Sequence, residues 1–157
     1  EITHVFDRES EDDVHVKQFQ ETLDRMSDAE QLGKDIKYKL GYSNFTFELW
    51  LILHKCDCFN SLNNRKDYLS YINKVYNKNF QSLKDYKKEE NLKKVLDELN
   101  IDDVKNAVTR AKLITEKNFQ EKKEKKEEYR GYIFYNENPS LSIHEIIEQI
   151  LKDCKLI

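Results

Sequence analysis

The sequence contains very little glycine and proline. Among 157 residues there are three glycines and one proline: Gly33, Gly41, Gly131 and Pro139. Tight turns between strands draw on these two residue types, so a protein built from many short strands needs more of both. The composition therefore predicts a few long helices whose ends are set by Asn, Ser and Asp.

Long apolar segments are absent and cysteines are few. No stretch of 18 apolar residues occurs, so no segment has the pattern of a membrane-spanning helix. The three cysteines are Cys56, Cys58 and Cys154, and their odd number leaves at least one thiol unpaired within the chain. Cys154 could pair with Cys56 or with Cys58. Three free thiols are a further alternative, because cysteine commonly packs as a small apolar residue.

Charges of the two signs are nearly balanced and interleaved. The chain has 27 basic and 30 acidic side chains and a net charge of −3. Proteins that bind nucleic acid usually carry a basic excess on one face, so we expect no nucleic-acid partner. No segment has the spacing of a phosphate-binding loop, a zinc site or a nucleophile motif. We therefore expect a protein that is not an enzyme, with no catalytic residues, no metal, no cofactor and no small-molecule substrate.

Apolar residues recur every three or four positions along much of the chain, which is the pattern of amphipathic helices. These stripes cover residues 12–40, 44–59, 102–135 and 143–154, and the stretch 64–99 fits either one bent helix or two. The prediction is an all-α fold: an elongated four-helix-type bundle with at least one short or broken helix. It forms a single domain over residues 1–157, with residues 1–9 as a flexible N-terminal arm.

The most apolar segment spans residues 45–53 and contains Trp50, the only tryptophan. A helix that is apolar on all sides is normally buried, so this segment should form the centre of the core. The positions expected to be buried are Leu23, Trp50, Ile52, Leu69, Leu96, Val108, Ile146 and Ile150.

One apolar stripe is interrupted by four polar residues, which we call the polar seam: Thr115, Asn118, Lys122 and Lys125. Either the helix is exposed at this point, or the polar side chains lie inside the bundle. In the second case each unpaired buried group costs about 1–3 kcal/mol and favours separation of the helices. The polar seam is therefore the candidate functional feature of the sequence.

Composition and layout also suggest a source. Lysine outnumbers arginine 22 to 5 and asparagine occurs 13 times, whereas alanine occurs three times, a bias typical of AT-rich genomes. An AT-biased helical chain of this size, rich in Asn, Lys and Tyr, resembles the apicomplexan sporozoite cell-traversal proteins, which are microneme-secreted helical bundles. The resemblance implies a secreted, non-enzymatic protein that supports host cell traversal, with a host membrane or a host or parasite protein as partner.

Two modes of action fit these expectations. A metastable helical bundle could open and present its apolar side chains to a membrane or a protein. Alternatively, a rigid helical adaptor or scaffold domain would bind a partner helix in a permanent groove and would show one exposed apolar strip. The sequence leaves open the partner, the lipid preference, the trigger for opening and the oligomeric state.

Overall fold

The computed structural model shows a mixed α/β fold and not a helical bundle. It describes residues 1–60, residue 62 and residues 64–157. In this part of the chain about 54% of residues are helical and 15% lie in strands, with seven helices and two sheets. The prediction of an all-α four-helix-type bundle is therefore wrong.

The elements follow one another in an irregular order of strands and helices. In chain order they are β1 (Ile2–Asp7), α1 (Asp13–Glu30), β2 (Tyr38–Asn44), α2 (Glu48–Lys55), α3 (Arg65–Val75), α4 (Leu83–Tyr86), α5 (Glu89–Leu96), α6 (Ile101–Glu121), β3 (Lys126–Tyr129), β4 (Tyr132–Tyr135), β5 (Ser140–Leu141) and α7 (Ile143–Asp153). A short 3-10 turn at Lys123–Lys125 joins α6 to β3.

The main sheet has the strand order β1-β2-β5. Strands β1 and β2 are parallel, with Ile2 opposite Tyr38 at one end and Asp7 opposite Ser43 at the other. The short β5 pairs antiparallel on the other side of β2. Residues 2–7, expected in a flexible arm, therefore form a paired strand. The first helix ends at Glu30 and not near residue 40, because residues 38–44 belong to β2.

The second sheet is the hairpin β3-β4, whose turn residues are Arg130 and Gly131. Both have positive φ, 53° and 83°, which is typical of the tight turns whose twist matches a hairpin. The helix predicted over residues 102–135 therefore ends at Glu121. Aromatic residues of the hairpin occur at intervals that resemble a continuing helical stripe, which explains the wrong prediction.

The apolar side chains form two clusters. The larger one lies among α2, α3, α5, α6 and α7 and is centred on residues 49–53. The smaller one packs α1 against β2 and the hairpin, and its buried members are Phe19, Leu23, Met26, Tyr42 and Phe134. The sheet therefore lies between α1 on one side and the helical body on the other.

The expected core positions are confirmed in part. Leu23, Trp50, Ile52 and Val108 are buried. Leu69 and Ile146 are half-buried. The prediction is wrong for two residues, since Leu96 is 45% exposed and Ile150 is 49% exposed. In each case the adjacent residue, Val95 or Leu151, is buried instead, so the buried face of the helix is displaced by one residue from the predicted face.

Residues 64–99 form neither one helix nor two, because α3, α4 and α5 all lie in this stretch. Polar caps separate them: the side chains of Asn64 and Ser82 accept hydrogen bonds from backbone N–H groups at the starts of α3 and α4. The final helix, predicted at residues 143–154, is confirmed as α7. None of the described helices is long and apolar enough to cross a membrane.

The three cysteines, all within the described residues, are free thiols, so neither pairing considered for Cys154 is formed. Cys58 is buried, Cys56 is half-buried and Cys154 is exposed at the end of α7. Burial raises the pKa of the Cys58 thiol to about 11. Cys58 therefore packs as a small apolar residue, as sequence reasoning allowed.

Candidate functional site

The candidate site lies at the carboxyl ends of β1 and β2. Because these strands are parallel, both carboxyl ends meet at the same edge of the sheet, where open α/β sheets usually bind ligands. Asp7 is the last residue of β1 and lies opposite Ser43. The chain leaves β2 through a short loop and begins α2 at Glu48. This connection brings a second carboxylate towards Asp7.

Asp7 is half-buried, and no described side chain donates a hydrogen bond to its carboxylate. Burial, and after it the negative charge of Glu48, raise the pKa of Asp7 to about 6. The positive charges of Lys87 and Arg65 act in the opposite direction but do not compensate. A carboxylate perturbed by burial and by a like charge is typical of a functional site, although structural networks produce such shifts as well.

Glu48 is almost completely buried, with 4% of its surface exposed. The hydroxyl of Thr46 donates a short hydrogen bond to one of its carboxylate oxygens. The ammonium group of Lys87, just after α4, lies 3.7 Å from the other oxygen. Burial is the main cause of the raised pKa values of the Tyr68 and Tyr86 hydroxyls, and the negative charge of Glu48 raises both further. It is therefore the central charge of this region.

A second layer of charged groups surrounds the pair. Glu9 accepts a contact of 3.3 Å from the Arg65 guanidinium and one of 3.0 Å from the His15 ring. Ser10 lies 2.7 Å from the other ring nitrogen of His15. These contacts place a carboxylate and two basic side chains at the rim of the site, where they remain partly exposed.

The ligand-binding capacity of the site follows from its donor atoms. Among the described residues no group of three or more His, Cys, Asp or Glu side chains is arranged to hold a metal ion. Two carboxylates are nevertheless enough for Mg²⁺, which usually keeps several waters and takes further oxygen ligands from a substrate phosphate. The oxygen donors of Asp7, Glu48 and Thr46 match this preference, whereas zinc sites are built mainly from nitrogen and sulfur ligands.

Arg8 supports the site from within the protein. Its side chain is 5% exposed and lies over the rings of Phe19 and Phe134, at 5.9 and 5.7 Å from their centroids. The guanidinium donates a hydrogen bond of 3.0 Å to the carbonyl of Asn136. Asn44 donates to the same carbonyl at 2.9 Å. The residues that follow β1 and precede α2 are thereby anchored to the loop after β4.

The polar seam lies beside the loop that precedes β5, where three of its four members contact residues 137–139. Thr115 donates to the carbonyl of Ala111, and the buried Asn118 donates to the carbonyl of Pro139 at 2.9 Å. Lys122 and Lys125 both pair with Glu137, at 3.6 and 3.1 Å. All four side chains thus have partners.

Sequence reasoning missed both carboxylates of the site. Asp7 was placed in a flexible arm, and Glu48 was passed over within an apolar helix. Two signals were present: a run of β-branched and aromatic residues, Ile2, Thr3, Val5 and Phe6, that ends in an acidic residue, and a single acidic residue inside the apolar segment 45–53. The first is typical of a strand end and the second of a buried charge.

Comparison with known proteins identifies a family. The model of the RloB-like protein family, a bacterial-type family, matches residues 1–150. No curated protein and no solved structure matches the chain.

The resemblance to apicomplexan sporozoite cell-traversal proteins rested on composition and layout, and the family match overturns it together with the apicomplexan, sporozoite and microneme attributes. Nearly the whole sequence is covered by the match. The chain therefore belongs to the RloB-like family.

Proposed function

We propose that the chain binds a divalent cation through Asp7 and Glu48 and acts on a phosphate ester at that position. The observation that supports this most strongly is Asp7 at the carboxyl end of β1, where burial and then the negative charge of Glu48, the first residue of α2, raise its pKa to about 6. Such an arrangement opposes folding, since two like charges repel in a partly buried position. A bound cation relieves this repulsion.

The basic side chains around the pair suit a phosphate. Lys87 lies beside Glu48, and Arg65 lies close enough to lower the pKa of Asp7 while it contacts Glu9. Lysine and arginine are the usual partners of phosphate oxygens, and arginine can bind two of them at once. A divalent cation at the carboxylates would supply Lewis-acid polarisation of the phosphoryl group. The chain itself would orient the phosphate through Lys87 and Arg65.

This proposal departs from the expectation of a protein that is not an enzyme, which rested on the lack of linear motifs. A site assembled from residues 7, 48, 65 and 87 has no local sequence signature, so the lack of a motif carries little weight against it. Secretion and a membrane or host-protein partner stay predictions, and the resemblance that supported them no longer does so. The adaptor alternative also stays a prediction.

The first experiment measures cation binding directly. Mn²⁺ titrated into the protein at pH 8 and followed by electron paramagnetic resonance should reveal one bound ion per chain. Asp7→Asn and Glu48→Gln should each weaken binding by about tenfold or more, because each removes one charged ligand. Asp35→Asn is the matched control, since Asp35 is an exposed residue of the loop between α1 and β2. Its affinity should equal that of the unaltered chain.

Two outcomes would contradict the proposal. One is the absence of stoichiometric Mn²⁺ binding at millimolar concentrations, and the other is equal loss of binding in Asp35→Asn. A phosphodiester probe, bis(p-nitrophenyl) phosphate, then tests the reaction. Its Mn²⁺-dependent hydrolysis should be lost in Asp7→Asn and reduced in Lys87→Met, whose protein should still bind Mn²⁺.

A further inference from the structure

A cavity of about 480 Å³ lies beside β2, on the side opposite β1. Its walls come from β2, from the hairpin strand β4, from α6 and from the first turn of α7. We call it the β2 cavity and define it by the residues that the argument uses: Tyr38, Leu40, Asn118, Tyr132, Tyr135 and Glu145. Its volume suits a ligand of nucleoside size.

The direction of the backbone groups of β2 follows from its pairing with β1. The carbonyl of Lys37 accepts a hydrogen bond from the N–H of Ile2, and the carbonyl of Ser43 accepts one from the N–H of Arg8. Odd-numbered residues of β2 therefore point towards β1. Because the direction alternates along a strand, the N–H and C=O groups of the even-numbered residues point to the other side, where the β2 cavity lies.

Most of these even-numbered groups already have partners. The hydroxyl of Ser142 donates to the carbonyl of Leu40 at 2.7 Å, and the N–H of Tyr38 donates to the carboxylate of Glu30 at 2.5 Å. Next along the strand, Tyr42 exchanges hydrogen bonds with Ser142. Within the described chain, the groups left without a partner on this edge are the N–H of Leu40 and the carbonyl of Tyr38.

One donor and one acceptor, two residues apart on one strand edge, match the Watson–Crick edge of adenine. The ring nitrogen N1 of adenine accepts a hydrogen bond, and the neighbouring N6 amino group donates one. An added peptide strand would need a longer ladder of free groups, and here both flanking groups are taken by Ser142 and Glu30. The edge therefore favours a base over a peptide.

The other walls of the β2 cavity suit the rest of a nucleoside. Tyr132 and Tyr135 supply aromatic rings, on which bases of any kind can stack. Asn118 is 3% exposed and its amide group donates to Pro139, but its side-chain oxygen accepts no hydrogen bond from the described residues. Glu145 has no described hydrogen-bond partner for its carboxylate either. Both are acceptors for ribose hydroxyls, a role that acidic residues play in dinucleotide sites.

The geometry points to the β2 cavity as a binding site for adenosine or an adenine nucleotide, with the base held by the backbone of Leu40 and Tyr38. This inference does not rest on the proposed cation site, which lies at the other end of β2 and uses none of the same residues. Adenosine itself, without any phosphate or metal, is therefore a sufficient probe.

The first test varies the ligand and leaves the protein unaltered. Isothermal titration at pH 7.5 without metal should detect adenosine binding below about 1 mM. Inosine should bind at least about tenfold more weakly, because its N1 is a donor and its O6 is an acceptor, the reverse of the adenine pattern. Purine riboside, which lacks the N6 amino group, should also bind more weakly. Equal affinity for adenosine and inosine, or no adenosine binding at several millimolar, would overturn the inference.

The second test varies the protein. Tyr132→Leu should weaken adenosine binding by about fivefold or more through loss of stacking, whereas Tyr71→Leu, which alters a half-buried tyrosine outside the cavity, should not. Glu145→Gln should weaken binding of adenosine but leave that of 2′,3′-dideoxyadenosine unchanged. Far-ultraviolet circular dichroism checks that each variant is folded. If Glu145→Gln affects both nucleosides equally, the assignment of the ribose hydroxyls to Glu145 fails.

Discussion

At the scale of single residues, Asp7 is a carboxylate in a position that disfavours its charge, first through burial and then through the charge of Glu48. The pKa of Asp7 is raised, which means that its charged form is disfavoured in the folded protein. Below the pKa of 3.8 that Asp7 has in the unfolded chain, its carboxyl group is protonated in both states and does not change the stability. As the pH rises through 3.8 towards about 6, the unfolded chain releases the proton first, and the folded state loses stability.

Replacing the carboxyl by an amide should remove this cost. We expect Asp7→Asn to raise the free energy of unfolding at pH 7.5 by about 1–2 kcal/mol, a value reduced from the full shift because the group is partly exposed to solvent. The gain should shrink towards zero near pH 3.5. Urea denaturation at both pH values, in the absence of metal, measures the difference.

Asp35→Asn again serves as the control and should change the stability little at either pH. A loss of stability in Asp7→Asn at pH 7.5, or the same gain at both pH values, would show that the two carboxylates do not oppose folding. Stabilisation combined with loss of Mn²⁺ binding is the expected signature of a residue retained for function.

The candidate site could not be identified from sequence for a physical reason. Asp7 and Glu48 lie 41 positions apart (48 minus 7), and only the parallel pairing of β1 and β2 brings them to one edge. Among 30 acidic side chains, the neighbours of Asp7 and Glu48 indicate a strand end and a buried charge, but they do not show that the two residues share one edge. The four polar-seam residues attracted attention because they interrupt a local pattern, yet each has a partner in the fold.

At the scale of elements, the sequence located several helices, with wrong bounds for most of them, and none of the strands. The apolar centre at residues 45–53 and the amphipathic stripe at 143–154 were placed correctly, since α2 and α7 lie there. Ile36 lies just before β2 and Leu40 lies within it. Both continue the three-to-four-residue spacing of the apolar residues of α1, so the sequence pattern predicts a longer helix. Residues 38–44 form a strand because they pair with β1, and local periodicity carries no information on such pairing.

The turn of the hairpin β3-β4 gives a test at this scale. Gly131 has a φ of 83°, and a Cβ atom placed on it meets nothing within 4 Å. Any cost of a side chain is therefore conformational and not steric. We expect Gly131→Ala to lower the free energy of unfolding by about 1–2 kcal/mol, the cost of a left-handed backbone for an ordinary residue.

Gly131→Asn is the matched control, because asparagine tolerates the left-handed region better than alanine does. Its loss of stability should be clearly smaller, as measured by urea denaturation of both variants. If alanine and asparagine destabilise the protein equally, contacts of the side chain and not the backbone conformation govern this turn.

At the scale of the whole molecule, contacts between distant parts of the chain decide the architecture. The backbone N–H of Ser142 pairs with the carbonyl of Tyr42, 100 residues earlier. Arg8 joins the end of β1 to α1, to β4 and to the loop at Asn136. The amino-acid composition does not reveal such long-range contacts. A chain with little glycine and proline can therefore still form two sheets.

Arg8 provides the test at this scale. We expect Arg8→Ala to lower the free energy of unfolding by about 2–3 kcal/mol, through loss of its packing between two rings and of its charged hydrogen bond. Arg8→Met should cost about half as much. Methionine fills the space between the rings, and the carbonyl of Asn136 keeps its second donor, Asn44.

Urea denaturation of the two variants measures both losses. If Arg8→Met is as destabilising as Arg8→Ala, the charged hydrogen bond dominates and packing between the rings contributes little. If neither variant loses more than about 0.5 kcal/mol, within the usual range of surface substitutions, Arg8 does not link the parts of the molecule as described.

The different surroundings of the three thiols make the protein suitable for single-site labelling. Cys58 is buried and Cys56 is half-buried, whereas Cys154 is exposed at the end of α7. Burial raises the pKa of both Cys56 and Cys58, which lowers the fraction of reactive thiolate at neutral pH. A maleimide dye attached to Cys154, with Trp50 as the sole indole donor, would form a built-in energy-transfer pair without any engineered cysteine.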